Sequence, residues 1–149
     1  MKKILLVLAL IPTLSFSQWI NKTVDNDFDP EYRISYNPSN RDESFLKLED
    51  FDGALLFYIQ NVYTCTDEPI VDVVFIFADG TKRVLQLQCV TSTDRQVVFM
   101  SPDLLAEPFL YDFKKSVKIK LRINDINCET ESFEFNMSGS TSAINFMLN

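Results

Sequence analysis

The sequence predicts an all-β chain: an antiparallel β-sandwich of jelly-roll or immunoglobulin-like type, with about seven or eight strands and one or two short helices. Three observations carry this. Apolar residues recur at period two over most of the chain beyond Phe45. Short apolar runs are separated by Asp, Asn, Gly and Pro at turn-like intervals. The 149 residues are 46% hydrophobic with 13 phenylalanines, an ordinary globular composition able to fill one core. A closed barrel is the alternative reading of the same pattern.

Residues 1–17 read as a cleaved signal peptide. Lys2 and Lys3 precede an unbroken apolar run from Ile4 to Ile11, and Ser15-Phe16-Ser17 sets small residues at the −3 and −1 positions of a signal-peptidase site. The apolar stretch is shorter than the roughly 20 residues that cross a bilayer, so no stable membrane anchor is expected. Cleavage near Ser17 leaves residues 18–149 as a single domain in a secreted or periplasmic setting. The formal charge then moves from −7 to −9, because Lys2 and Lys3 are lost.

Trp19 to Glu43 is polar and turn-rich, with one short strand expected near Tyr32 to Tyr36. Leu46 and Leu48 alternate with Lys47 and Glu49. Asp52-Gly53 breaks that run, and Ala54 to Thr64 reads as a long strand. Ile70 to Phe77 is the next. The turn at Ala78-Asp79-Gly80-Thr81 decides a register. A two-residue loop would place Gln86 and Gln88 on the apolar face, whereas a three-residue loop with left-handed Gly80 sets Val73 opposite Leu85 and Val71 opposite Leu87. Burial selects the second. Beyond Cys89 the strand is expected to fray, and Gln96 to Met100 forms a short apolar strand. Ser101-Pro102-Asp103 has the character of a helix start, with Pro108 limiting the helical region to short pieces before Lys115. Val117 to Ile123 alternates without error, with Lys118, Lys120 and Arg122 outward. Phe133, Phe135 and Met137 face inward on the last strand. The tail from Ser140 to Leu148 fits a short helix capped by Ser140 or Thr141, although its Ile144, Phe146, Leu148 spacing also fits a strand.

Composition excludes much chemistry. There is no histidine, so the chain supplies no Ser-His-Asp triad, no Cys-His dyad and no histidine-ligated metal. Three glycines leave no room for a phosphate-cradling loop or a dinucleotide fingerprint. No cofactor is implied. The acidic balance disfavours nucleic acid and anionic membranes and suits a basic protein partner.

Three cysteines in an oxidising compartment point to one disulfide. Cys65 and Cys89 lie toward the same end of the sheet and form the expected pair, with Cys128 the odd thiol. Asp25-Asn26-Asp27-Phe28-Asp29 has the opening of an EF-hand loop, but Pro30 stands where glycine is needed and Tyr36 where a bidentate glutamate is needed, so no metal site is assigned. Paired carboxylates could serve a glycosidase. Asp72, within an apolar strand, is the most notable of them, and its parity points it away from the core toward solvent beside Gln86 and Gln88. Lys114, Lys115, Lys118, Lys120 and Arg122 form a basic stripe suited to an acidic glycan or phosphate, or simply to cross-strand pairing with Glu131 and Glu134. Trp19, Tyr58 and Tyr63 are candidate sugar-stacking aromatics.

Phe133-Glu134-Phe135-Asn136-Met137-Ser138-Gly139-Ser140, followed by Ala143-Ile144, resembles the end of small secreted bacterial β-sandwich proteins of unknown role. The resemblance implies secretion and a sandwich architecture and carries no catalytic motif. The expected function is therefore that of a secreted or periplasmic, non-enzymatic binding or accessory protein, a protein-interaction module of the cell envelope. A carbohydrate-binding module and an inhibitor of a basic envelope enzyme such as lysozyme are the alternatives.

Overall fold

In the computed structural model, the described residues are 19–25, 31–40, 43–51, 54–93, 97–100, 107–125 and 128–149. The expected signal peptide, residues 26–30 of the acidic segment, the expected Asp52-Gly53 break and the expected helix start at Ser101-Pro102-Asp103 lie outside them. Among the described residues no helix is long and apolar enough to cross a membrane.

The chain is mostly strand, in two antiparallel sheets with two helices. One sheet holds β1 (Ile20–Val24), β2 (Tyr32–Pro38), β3 (Phe45–Phe51), β4 (Ala54–Gln60), β7 (Val90–Thr91) and β8 (Val97–Met100), in the order β1-β2-β3-β4-β8-β7. The other holds β5 (Ile70–Ile76), β6 (Lys82–Gln88), β9 (Lys118–Asn124) and β10 (Glu131–Asn136), in the order β10-β9-β5-β6. Two of these strands go beyond the seven or eight expected. β1 buries almost nothing and so shows no apolar alternation; its backbone pairing with β2 alone makes it a strand. β7 arises because the chain does not fray at Cys89 but crosses from one sheet to the other there.

The β5–β6 hairpin takes the bulged register, with Val73 opposite Leu85 and Val71 opposite Leu87. Gly80 adopts φ +81°, which an L side chain would resist. Asp79 Oδ1 accepts bonds from the Thr81 N–H and hydroxyl at 2.9 and 2.7 Å, fixing the turn. The strand expected to run to Thr64 stops at Gln60. Asn61 turns left-handed at φ 56°, and its amide donates to the Glu43 carbonyl at 2.6 Å while its own carbonyl accepts the Ser44 hydroxyl.

Pro108 stands at the opening of a helix. It is the second residue of α1 (Glu107–Lys115), where a missing N–H costs nothing. The i,i+4 pair Phe109 and Phe113 is buried and meets Phe57 edge-on, with ring centroids 5.3 and 5.1 Å away. The tail is helical, as α2 (Ser140–Leu148), but left-handed Gly139 occupies the cap position. The hydroxyls of Ser140 and Thr141 instead donate to the Lys114 carbonyl, joining the start of α2 to the end of α1. Arg33 on β2 donates to the Phe146 carbonyl at 3.1 Å near the other end of α2. Apolar residues of both sheets and both helices belong to one buried cluster, including Leu48, Phe57, Val73, Phe75, Leu121, Phe135 and Ile144.

The disulfide is Cys65–Cys128, not Cys65–Cys89, and the free thiol is Cys89. Pairing of β5 with β9 sets Ile70 opposite Asn124, which brings the segment before β5 beside the segment after β9. Cys89 lies at the same end, yet it shares the inward parity of Leu87, and its side chain enters the core at 1% exposure. Asp125 ties the same two segments, its Oδ2 accepting the Cys65 and Thr66 N–H groups at 2.6 and 3.0 Å.

Candidate functional site

Strand alternation gives the four-stranded sheet an inward apolar face and an outward face of mixed chemistry. Across it the registers align Gln86, Asp72, Arg122 and Ser132 in one row and Val84, Val74, Lys120 and Glu134 in the next. A groove of about 460 Å³ lies over these rows, closed at one side by Asn40 from the β2–β3 connection.

Asp72 is the centre of the face and is not solvated as its parity suggested. It is 8% exposed, because longer side chains from both neighbouring strands lie over it. Arg122 donates to Asp72 Oδ2 through Nη2 at 2.6 Å and Nε at 3.1 Å, Asn124 donates to the same oxygen at 2.9 Å, and Gln86 donates to Oδ1 at 2.9 Å. These bonds, the Arg122 guanidinium first, hold the carboxyl down to about 2. Glu134 is paired with both Lys118 and Lys120, and their ammonium groups hold its carboxyl below the usual range. The basic stripe is thus partly spent on sheet pairing, although Lys120 and Arg122 remain more than half exposed at their side chains. Proton donation at neutral pH needs a carboxyl whose pKa is raised. Both carboxylates of this groove are shifted the other way, so they serve it as fixed anions.

The predicted aromatics are not brought together. Trp19 is buried against Phe113, with centroids 5.7 Å apart, and Tyr58 is buried on the other sheet beneath Lys47, whose Nζ stands 5.4 Å from its ring. Burial, with the Glu49 charge beside it, raises the Tyr58 hydroxyl pKa. Tyr63 alone of the three is exposed. Burial likewise pushes the Cys89 thiol up to about 12, which makes it unreactive. Among the described residues one group has metal-type ligands converging, Cys65, Asp125 and Cys128, with ligand atoms within 4.8 Å. Its sulfurs are joined to each other and its carboxylate caps a turn, so it acts as a staple.

Sequence reasoning placed Gln86 beside Asp72 from the hairpin register but missed Arg122 and Asn124 as its partners, and Asn40 as a wall of the groove. The first two follow only from the β5–β9 pairing, which no local signal announces. No family model matches this chain, and neither a curated protein nor a solved structure matches it.

Proposed function

We propose that this is a secreted, single-domain β-sandwich that acts without catalysis, binding a protein partner through the outward face of its four-stranded sheet. The single cluster of apolar residues drawn from both sheets supports the sandwich. The basic leader with its short apolar run, together with a disulfide, supports secretion. The observation that carries the binding reading is the groove itself. A pre-organised, charge-neutralised Asp72–Arg122 pair forms its floor, Val74 and Val84 supply apolar contact, and Lys120 stands at its rim. Polar groups already fixed by their neighbours cost little further ordering on association.

The net acidity of the chain lies off this face. Lys82, Lys118, Lys120 and Arg122 outnumber Asp72, Glu134 and Glu68 there, so the face suits a partner strip carrying acidic or amide groups between small apolar ones. That differs from the basic partner suggested by net charge alone, and it sets the lysozyme-inhibitor alternative lower. The test compares capture from an envelope extract by the wild type and by Ser132→Arg, which fills the groove from an exposed position, and Lys120→Glu, which reverses its rim. With circular dichroism unchanged, a stoichiometric partner should be retained by the wild type and lost, by tenfold or more in affinity, in both variants. Identical capture by all three proteins removes the reading.

A further inference from the structure

The four-stranded sheet ends on β6, and the backbone groups along its free margin can be identified. The Phe77 N–H donates to the Thr81 carbonyl and the Cys89 N–H to the Pro69 carbonyl, so the odd-numbered residues of β6 bond inward to β5. Lys82, Val84, Gln86 and Gln88 therefore direct their N–H and C=O groups outward, and among the described residues none of these groups has a partner across the margin. All of them lie on exposed residues. A run of this length with one terminal lysine, no proline and no bulge is a template for a further strand.

We propose that β6 pairs antiparallel with β6 of a second copy about a twofold axis at Leu85, joining two four-stranded sheets into one continuous sheet. The strand is self-complementary in three respects. With Leu85 opposite Leu85 of the second copy, Lys82 meets Gln88 and Val84 meets Gln86, and all of these are outward-bonding residues, so each pair exchanges both hydrogen bonds. The alternative parallel arrangement would stack Lys82 and Arg83 on their own copies, like charge on like. Gln88 holds Glu68 at 3.1 Å on the exposed face, so Lys82 of one copy arrives beside Glu68 of the other, and symmetry repeats the ion pair. Val84, 62% exposed, comes diagonal to Val84 of its mate and is covered. Arg83 does not compete, since it is already paired with buried Asp112 at 2.7 Å. The isologous contact covers only the Val84 end of the groove and leaves its Lys120, Ser132 and Asn40 side open on each copy.

Sedimentation equilibrium of the purified protein over a wide concentration range should show a monomer–dimer equilibrium. Lys82→Glu should weaken the dimer about tenfold or more, since two rim ion pairs become repulsions. The double variant Glu68→Lys/Lys82→Glu should restore it. Val84→Pro removes only an outward N–H and should give a monomer with the circular dichroism of the wild type. A wild type that stays monomeric throughout overturns the proposal. So does a dimer indifferent to Val84→Pro and Lys82→Glu, which would use another surface. Ser132→Arg should leave the dimer unchanged, so loss of the groove partner and loss of the dimer are read separately.

Discussion

The two margins of the four-stranded sheet are finished in opposite ways. On β10 the outward groups of Glu134 are both taken, its carbonyl by the Asn40 N–H and its N–H by Asn40 Oδ1, each at 2.9 Å. The Asn136 carbonyl next along accepts the Asn37 amide at 2.6 Å. The turn leading into β10 is held by the Cys65–Cys128 disulfide. On β6 there is, among the described residues, neither a mimic of a neighbouring strand nor a staple, and the cysteine at its end is a free thiol packed into the core. The covered margin is protected by polar side chains carried in from the far end of the sequence. Among the described residues, protection of that kind is found on one side only.

The strongest perturbation falls on the protected side. Cys65→Ser/Cys128→Ser removes a link spanning 63 residues, worth about 4 kcal/mol by chain entropy. Thermal unfolding should shift down accordingly, and hydrogen exchange should quicken in β10 far more than in β6; equal quickening of both strands would contradict the asymmetry. Next, Asn37→Ala uncovers the Asn136 carbonyl. Asn37 is fully buried, and the loss should be about 1–2 kcal/mol by chemical denaturation, with the exchange change again confined to β10. A milder change falls on the centre of the sheet, between the two margins. Asp72→Asn should cost about 1 kcal/mol at pH 7, since the charge-assisted bonds to exposed Arg122 are only partly shielded. The folded carboxyl sits at about 2, below its ordinary 3.8, so its contribution is complete above pH 4 and is lost as pH falls through 2. The stability gap between wild type and Asp72→Asn should therefore close between pH 4 and pH 2. A gap independent of pH would assign the loss to packing.

What was legible in the sequence was local. Gly80 with its flanking apolar runs determines a hairpin register, and the alternations Ile119 to Ile123 and Phe133 to Met137 determine which faces are buried; Val117, expected inward with them, stands just before β9 and is 47% exposed. Each of these signals is complete within a few residues. β1 was illegible because an exposed margin strand has no apolar face to display. The disulfide was misread because it depends on β5 lying beside β9, a pairing of segments some 50 residues apart that is selected by the whole core. The same pairing places Arg122 over Asp72, so the candidate site could be half seen. Its carboxylate, glutamines and Arg122 each stand out, but the pairing by which that guanidinium neutralises Asp72 does not.

The passage of the chain through Cys89 has a mechanical consequence. Gln88 ends a strand of one sheet and Val90 begins a strand of the other, so a single residue joins them. One residue spans at most about 3.6 Å, which leaves no slack between the sheets at that corner. Sliding of one sheet over the other would have to pivot there, and the pivot's own side chain is locked in the core with its thiol donating to the Leu87 carbonyl. A load applied to β8 is therefore passed through its pairing with β7 and this joint directly into β6, with no slack to take up at that corner.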